Sequence, residues 1–238
     1  MLKVCEVFGP TVQGEGPNAG RQVMFLRLSH CNLHCVWCDT PYTWNWTGTP
    51  FAHPDKFDPK LEVHVMTDED IIERLGELEG HSVKSLVVSG GEPLLQQHQL
   101  LALFNWLKSA GWYIEVETNG TVPPLPRLFD LVDQFNCSPK LSNSGDPAKL
   151  RDRPKAVEML NRSRKVAFKF VISNQQDADE VLDLVRRYAL QNVWLMPLGK
   201  TPDELEQTRA LTQAMAESLG FNFSDRLHVV RFGNVRAV

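Results

Sequence analysis

The amino-acid sequence predicts an α/β fold in which helical crossovers connect the strands of a parallel sheet. Short apolar, β-branched runs alternate with longer amphipathic runs along the chain, as in repeated strand–helix units. Polar and glycine-rich motifs follow several of these runs, and in such folds the functional site lies at the carboxyl ends of the strands. No linker or internal repeat divides the 238 residues, so we expect one domain over residues 1–238.

The individual elements follow from periodicity and from the residues that bound each run. Strands are predicted where Val, Ile, Leu and Phe cluster between turn residues, at 3–8, 22–28, 85–89, 112–118, 131–137, 166–172, 192–197 and 226–232. Helices are predicted where apolar residues recur three or four positions apart, at 68–78, 97–110, 154–161, 178–188 and 202–219. Two helix starts carry capping signals: Thr67 stands three residues before Asp70, and Thr201 precedes Pro202 and Glu204.

Composition and charge exclude several classes of protein. The formal net charge of −4 gives no reason to expect nucleic-acid binding. No stretch reaches transmembrane length and no long apolar segment begins the chain, so we expect a cytoplasmic protein without membrane contact. Five cysteines are an odd number and three of them cluster, which does not fit a secreted disulfide framework. Cys5 and Cys137 stand alone and are expected to be small buried side chains.

Three cysteines in one short segment carry the strongest chemical signal. Cys31, Cys35 and Cys38 have the spacing C-x3-C-x2-C and follow a predicted strand. A structural zinc site takes four protein ligands, so these cysteines would need His30 or His34 to complete one. A 4Fe–4S cube also takes four ligands, and three cysteines would leave one iron open to a ligand that is not protein. The sequence favours the iron–sulfur cluster and leaves zinc as the alternative.

Two glycine-containing motifs end the next strands. The S-G-G-E-P segment at residues 89–93 follows an apolar run, and glycine at a strand end lets the backbone approach a ligand closely. The E-T-N-G segment at residues 117–120 offers polar side chains at the end of the following strand. The Gly-Gly pair taken alone would be only a turn, and for the E-T-N-G segment an ordinary strand-ending turn is an equal alternative, since Asn-Gly is a strong turn signal.

A third motif, Q-G-E-G at residues 13–16, lies between the first two predicted strands, and Arg27 ends the second. C-D-T follows at 38–40 and S-P-K at 138–140. Together these motifs closely resemble those of the 7-carboxy-7-deazaguanine synthases, a family of radical SAM enzymes in the 7-deazapurine (queuosine) pathway. In that superfamily, S-adenosylmethionine (SAM) binds the open iron of the cluster. The resemblance covers residues 3–235 and is weakest over residues 41–65.

The resemblance implies a fold, a reaction and a set of cofactors. The fold would be a partial (βα)6 TIM-like barrel with an inserted loop after the cysteine motif. The enzyme would be a lyase that converts 6-carboxy-5,6,7,8-tetrahydropterin to 7-carboxy-7-deazaguanine with release of ammonia, and it would regenerate SAM. The implied cofactors are a 4Fe–4S cluster, SAM and Mg2+. The implied partners are the pterin substrate, a flavodoxin- or ferredoxin-type electron donor and a second copy of the chain in a homodimer.

The same resemblance assigns roles to individual residues. Cys31, Cys35 and Cys38 would hold the cluster, and Thr40 would contact Mg2+, which keeps several waters and so needs few protein ligands. The residues expected to contact SAM are Trp37, Cys38, Asp39, Gly91, Glu92, Glu117, Asn119, Ser138, Pro139, Lys140, Ser173, Asn174, Gln175 and Gln176. The residues expected to contact the substrate are Val12, Gln13, Gly14, Glu15, Arg27, Ser89 and His228. The radical derived from SAM does the chemistry, so no side chain is expected to act as acid or base.

Two of these assignments have simpler interpretations. The planar fork of Arg27 suits the substrate carboxylate, yet an arginine at a strand end is often only a surface charge. His228, on the last predicted strand, matches a family histidine near the substrate, yet a lone histidine on an apolar strand is more often structural.

Two segments differ from the rest of the pattern. Residues 41–65 show no period and are expected to form a long loop, in which Trp44 and Trp46 either form a recognition surface or pack the loop against the barrel.

After His228 the chain continues over residues 229–238, whereas in some family members the terminal carboxylate helps to hold the substrate. Either residues 232–234 replace that contact or the tail lies elsewhere.

Two rival functions share part of the pattern. A radical SAM enzyme that activates a glycyl radical partner protein would share the cysteine and G-G-E motifs, but the Q-G-E-G loop and Arg27 favour a small carboxylated substrate. A zinc-binding interaction module would be colourless and contain stoichiometric zinc, whereas a 4Fe–4S protein is brown when purified without oxygen.

Overall fold

The computed structural model describes residues 1–78 and 83–237. Its strands are β1 (Leu2–Val12), β2 (Gln22–Leu28), β3 (His64–Met66), β4 (Ser85–Gly90), β5 (Tyr113–Thr118), β6 (Gln134–Cys137), β7 (Val166–Ile172), β8 (Val193–Pro197) and β9 (Asn222–Phe223). In this part of the chain they form one nine-stranded sheet in the order β3-β1-β2-β4-β5-β6-β7-β8-β9.

Six strands form the core of the sheet. Each neighbouring pair in the series β2, β4, β5, β6, β7 and β8 is parallel. Helical or turn segments connect these strands, so the predicted partial (βα)6 barrel is confirmed. At one edge β1 lies antiparallel to both β2 and β3, and at the other the short β9 extends the parallel series.

The helices cover the sheet and include two predicted caps. They are α1 (Pro59–Glu62), α2 (Asp68–Glu77), α3 (Gln97–Ser109), α4 (Leu128–Leu131), α5 (Ala148–Arg151), α6 (Pro154–Ser163), α7 (Gln175–Tyr188), α8 (Pro202–Leu219) and α9 (Leu227–Phe232). Thr67 and Asp70 form a reciprocal capping box at α2, and the Thr201 side chain accepts from the Glu204 N–H at α8, as predicted. No helix in the described ranges is long and apolar enough to span a membrane.

The register of the parallel strands brings the motifs to one edge. Arg27 of β2 pairs with Ser89 of β4, and Glu117 of β5 pairs with Asn136 of β6. Because parallel strands end at the same edge of a sheet, the residues after each strand meet there. The core between sheet and helices fixes this arrangement, and burial of one large apolar side chain such as Phe168 contributes roughly 1.5–3 kcal/mol.

The predicted strand at residues 226–232 is wrong, because this segment forms α9. A short apolar run does not by itself distinguish a strand from a helix. The strand that pairs with β8 at this edge of the sheet is β9. In α9, Val229 is buried and the next residue, Val230, is 44% exposed. His228 therefore lies on a helix and not on the last strand of the sheet.

The segment at residues 41–65 is more regular than predicted. It contains α1 and the start of β3, and β3 pairs with β1 through residues such as Lys3 and Val65. Trp44 is 3% exposed and its ring packs against His34 and Phe51. For Trp44, packing of the inserted segment is therefore the correct alternative.

Smaller differences affect element ends. The strand predicted at 131–137 begins at Gln134, because α4 forms one helical turn before it. The helix predicted at 178–188 begins three residues earlier, at Gln175, where Asn174 is the N-cap. Cys5 and Cys137 are both buried, as predicted.

Candidate active site

A cavity of about 240 Å³ opens at the carboxyl ends of the parallel strands. Its wall is formed by the ends of the strands, the cysteine loop and residues 233–237. The predicted site residues that line it are Val12, Gln13, Gly14, Glu15, Arg27, Cys31, Cys35, Trp37, Cys38, Asp39, Thr40, Ser89, Gly91, Glu117, Asn119, Ser138, Lys140 and His228. Glu92, Pro139 and residues 173–176 do not line this cavity.

The cysteine loop leaves β2 and passes over the end of β4. His30 has a positive φ of 75° and donates its backbone N–H to the Thr43 oxygen at 2.7 Å. Gly91 lies directly beneath the loop, and a Cβ at this position would come 2.1 Å from the His30 oxygen. The second glycine of the G-G-E motif is therefore required by the close approach of two backbones.

The thiols of Cys31, Cys35 and Cys38 share this cavity. Burial raises the pKa of the Cys31 thiol to about 12 and raises the pKa of Cys35 and of Cys38 as well. Buried thiols of this kind stay protonated near neutral pH, but a coordinating metal centre deprotonates them outright. Three thiols on one cavity with an open side fit the three-cysteine cluster that their spacing predicts.

The two histidines nearest the cysteines contact other side chains. The His34 ring is stacked on Phe51 with centroids 3.5 Å apart, and His30 Nδ1 lies 2.7 Å from the Ser29 hydroxyl. Within residues 1–78 and 83–237 no group of three or more His, Cys, Asp or Glu side chains is arranged around a single metal ion. Both histidine rings are thus in contact with other side chains.

Glu92 of the G-G-E motif is fully buried and has a structural role. Its carboxylate accepts from the Thr118 hydroxyl at 2.8 Å and from the Asn119 and Leu94 N–H groups at 2.7 and 3.0 Å. Burial raises the pKa of Glu92 to about 6 despite these donors. Glu92 ties the end of β4 to the end of β5 and so fixes the two motifs relative to each other.

Polar side chains surround the cysteine side of the cavity. Lys140 Nζ lies 3.0 Å from the Ser138 hydroxyl and 5.4 Å from the centre of the Trp37 ring. Asn119 donates to the Asn32 side chain at 3.0 Å and lies 3.8 Å from the Cys31 sulfur. These groups can bind the carboxylate and hydroxyl groups of a cofactor next to the thiols.

Residues 173–176 lead into α7 and include its first two residues. Asn174 is the N-cap, and the Asp177 carboxylate accepts from the Ser173 N–H at 2.7 Å and from its hydroxyl at 2.6 Å. The Asn174 side chain accepts from the Gln176 and Asp177 N–H groups at 2.8 and 3.3 Å and so satisfies the first N–H groups of the helix. A contact between this turn and SAM stays a prediction.

On the side opposite the cysteines, a buried network of amides surrounds Glu115. Gln13 and Asn136 both donate to one oxygen of Glu115, and Asn18 donates to the other at 2.6 Å. Burial raises the pKa of Glu115. The network fixes the Gln13 side chain, whose oxygen accepts from the Glu15 N–H at 3.3 Å.

Lys169 connects two carboxylates of the cavity wall. Its Nζ is 2.9 Å from Glu15 and 3.4 Å from Glu117, and the lysine side chain is 3% exposed. Burial alone would lower the pKa of Lys169, but the two carboxylates outweigh burial and raise it. Ser89 donates to the second oxygen of Glu117 at 2.7 Å. Lys169 is therefore a buried cation that holds both acids in place.

Arg226 joins the first motif to the cysteine loop. Its Nε donates to Glu15 at 2.9 Å, and its Nη2 donates to Asp39, which follows Cys38. Burial alone would raise the pKa of Glu15, but Lys169 and Arg226 hold it well below its usual range. Asp39, predicted to contact SAM, is thus bonded to the charged network within the cavity wall.

Arg27 lies in the cavity wall as predicted. Its Nε donates to Glu6 at 2.9 Å, and its side chain is 16% exposed. Its two terminal nitrogens have no hydrogen-bond partner among the described residues. Arg27 can therefore offer two parallel N–H groups to a carboxylate in the cavity.

His228 and Thr40 both reach the cavity from neighbouring segments. The His228 ring packs against Gly14, where an added Cβ would come 2.1 Å from His228 Nδ1. His228 Nε2 lies 3.9 Å from Glu15, and burial lowers the histidine pKa, which favours the neutral ring. Thr40 Oγ1 lies 3.7 Å from the Cys38 sulfur.

Sequence reasoning missed Glu115, Asn136, Lys169 and Arg226. Lys169 carried a signal, because it is a lone charge in the apolar run 166–172 and a buried charge needs a partner. Arg226 carried none, since its partner Glu15 is 211 positions away in the chain.

Comparison with known proteins agrees with this geometry. The family model described as the radical SAM superfamily matches residues 27–211. A 7-carboxy-7-deazaguanine synthase of Pyrobaculum aerophilum is 36% identical, with 99% of this chain and 96% of the relative covered. One of Bacillus subtilis is 30% identical, with 100% and 98% covered. The crystal structure of QueE from Escherichia coli shares the fold, with a TM-score of 0.71, 24% identity and 95% and 94% covered.

The barrel, the three-cysteine loop and the glycine motif beneath it define a radical SAM enzyme, and the family match covers most of the chain. The full-length relatives narrow this class further. The chain belongs to the family of 7-carboxy-7-deazaguanine synthases.

Proposed function

We propose that this chain converts 6-carboxy-5,6,7,8-tetrahydropterin to 7-carboxy-7-deazaguanine with release of ammonia, as a step of queuosine and 7-deazapurine biosynthesis. One observation carries the proposal: a single cavity is lined by three thiols, by Arg27, whose terminal nitrogens have no partner within residues 1–78 and 83–237, and by the carboxylates Glu15 and Glu117. The three thiols fit an iron–sulfur cluster. Arg27, Glu15 and Glu117 fit a small substrate with a carboxylate and several N–H groups.

Cys31, Cys35 and Cys38 would hold the 4Fe–4S cluster, and the polar groups beside them would hold SAM. When bound, the cluster and SAM supply the radical that takes a hydrogen atom from the substrate. Lys140 is placed to pair with a carboxylate of SAM, and Asn119 and Ser138 to bind its polar groups. These roles rest on position in the cavity and on the family motifs.

The opposite wall would bind the pterin. Arg27 would bind its carboxylate through the two terminal nitrogens. Glu15 and Glu117 each accept from the cations around them, but a carboxylate has about four lone-pair sites, so both can still accept from the amino-pyrimidinone edge. Gln13, Gly14, Ser89 and His228 would complete the pocket around the ring.

Mg2+ is part of the proposal through Thr40. Thr40 lines the cavity with its hydroxyl 3.7 Å from the Cys38 sulfur, and one hydroxyl is sufficient for an ion that keeps several waters. Thr40→Val should raise the Mg2+ concentration needed for half-maximal activity, and Thr40→Ser should restore the original value. An unchanged Mg2+ requirement in Thr40→Val would remove Thr40 from the proposal.

The proposal also includes partners and a compartment. Val36 in the cysteine loop is 47% exposed, so a flavodoxin- or ferredoxin-type donor can approach the cluster loop from solvent. Five free cysteines fit the reducing cytoplasm. The proposal also includes a homodimer. Light scattering of the purified holoprotein would measure its molar mass and so test this directly.

The test is an anaerobic turnover assay of the reconstituted protein with SAM, Mg2+ and 6-carboxytetrahydropterin, read by mass spectrometry. We expect 7-carboxy-7-deazaguanine in large excess over a limiting amount of SAM, because the family regenerates SAM. A matched reaction with Cys35→Ala should give no product. Cleavage of SAM to one 5′-deoxyadenosine per product would contradict regeneration, and absence of the deazaguanine with an intact cluster would contradict the proposed function.

A further inference from the structure

Besides Arg27 and Arg226, the cavity wall contains a third arginine, Arg236, that the sequence motifs do not include. Arg236 lies in the tail formed by residues 233–237, which forms part of the cavity wall. Its guanidinium lies 3.6 Å from the centre of the Tyr42 ring, a cation–π contact with a side chain that is 4% exposed. The tail therefore lies against the barrel and contacts the inserted segment.

Glu6 connects this tail to Arg27. On β1, Glu6 is the register partner of Arg27, and its Oε2 accepts from Arg27 Nε at 2.9 Å. The other oxygen of the same carboxylate accepts from Arg236 Nε at 2.9 Å. The two guanidinium groups therefore lie on opposite oxygens of one carboxylate, well within the Debye length of about 10 Å at 0.1 M salt.

A second carboxylate fixes the tail. Glu62 of α1 accepts from Arg236 Nη1 at 3.2 Å and from Nη2 at 2.8 Å, and its side chain is 15% exposed. All five N–H groups of an arginine lie in one plane, so this paired contact sets its orientation as well as its position. Arg236 thus lies between Glu6 and Glu62, in a series of alternating charges that runs Arg27, Glu6, Arg236, Glu62.

The charge balance around Arg27 depends on this tail. With Arg236 in place, two guanidinium groups face two carboxylates. Without it, Glu6 would keep only Arg27 and Glu62 would lose the guanidinium that it binds, so the charge next to Arg27 would become one unit more negative. Arg236 is 43% exposed, but Glu6 and Arg27 are only 11% and 16% exposed, so solvent screens this interaction incompletely. The tail therefore raises the attraction of the site for a carboxylate.

We propose that Arg236 is a specificity-determining residue that favours carboxylated substrates by offsetting the acidic charge next to Arg27. Arg236 acts through Glu6 and makes no contact with the substrate in this proposal, which rests on the proposed pterin chemistry of the cavity. Coupling between two sites is reciprocal. A bound carboxylate therefore stabilises the docked tail to the same extent as the tail stabilises the carboxylate.

The test compares two ligands in the reconstituted, SAM-loaded holoprotein: 6-carboxytetrahydropterin and tetrahydropterin without the carboxyl group. Arg236→Ala should weaken binding of the carboxylated ligand about two- to fivefold, the range of a partly exposed charge interaction, and leave the other ligand unchanged. Arg236→Lys should recover most of the loss. Arg231→Ala removes an exposed cation from the preceding helix and serves as the matched control without effect.

Hydrogen exchange of residues 233–237 gives a second readout. The carboxylated ligand should slow exchange of the tail in the wild type, and the uncarboxylated ligand should not. An equal loss of affinity for both ligands in Arg236→Ala would overturn the proposal in favour of a structural role, and an unchanged affinity for both would overturn it outright. If the wild type binds neither pterin, the proposed function itself fails, which is a different result from these.

Discussion

The two sides of the cavity are built in different ways. On the cysteine side, three ligands come from eight consecutive residues and Gly91 lies directly beneath them. On the substrate side, the ion network joins Glu15 to Lys169, 154 positions away, and to Arg226, 211 positions away. The cysteine side thus depends on local backbone geometry, and the substrate side depends on the assembled partial barrel.

This difference has a physical consequence for stability. The thiols, of which Cys35 is buried and Cys31 and Cys38 are partly buried, are neutral before a cluster binds and need no charged partner. The substrate side contains buried charges, and each charge is tolerated only because the fold supplies the opposite one. Changes on the cysteine side should therefore remove the cofactor and spare the fold, whereas changes on the substrate side should affect both binding and stability.

The largest expected effect is loss of the cluster. Cys31→Ala, Cys35→Ala and Cys38→Ala should each lose the 4Fe–4S cluster and all activity, because three thiolates are the minimum set for this site. Iron content after anaerobic reconstitution measures the outcome. Cys137→Ala is the matched control, since Cys137 is fully buried beyond the cavity wall and should keep its iron. A full complement of iron in Cys35→Ala would refute the assignment of the ligands.

The next effect concerns Lys169. Lys169→Met leaves Glu15 and Glu117 without their shared buried partner, and breaking a buried pair in this way costs about 3–5 kcal/mol. Urea unfolding of the apoprotein measures the free energy of unfolding. Lys108→Met is the control, because its pair with Asp133 is about one-third exposed and should contribute only about 0–1 kcal/mol. Equal losses in the two variants would contradict a special role for the buried network.

A smaller effect is expected at His228. The neutral ring can offer one hydrogen bond to the substrate, so His228→Phe should weaken pterin binding by about 0.5–1.5 kcal/mol and leave the SAM affinity unchanged. Isothermal titration under anaerobic conditions separates the two affinities. A variant with unchanged pterin affinity would show that the ring only packs against Gly14.

The same difference explains what could be predicted from sequence. The parallel core, the cysteine ligands and the G-G-E turn follow from local spacing, and the structure agrees with them. The strand predicted at residues 226–232 failed because its apolar run fits a helix equally well, and only the place of β9 beside β8 decides. Arg226 could not be linked to Glu15, because nothing in the sequence states which distant charges the barrel brings together.

The most direct test of the two-sided cavity uses Arg27. Arg27→Ala should weaken binding of 6-carboxytetrahydropterin by about 2–5 kcal/mol, the loss seen when one partner of a buried charge pair is removed. Arg27→Lys should recover only part of this loss, because lysine lacks the bidentate fork. Iron content and SAM affinity, measured on the same samples, should equal those of the wild type. Near-normal pterin affinity in Arg27→Ala, or a parallel loss of SAM binding, would contradict the account.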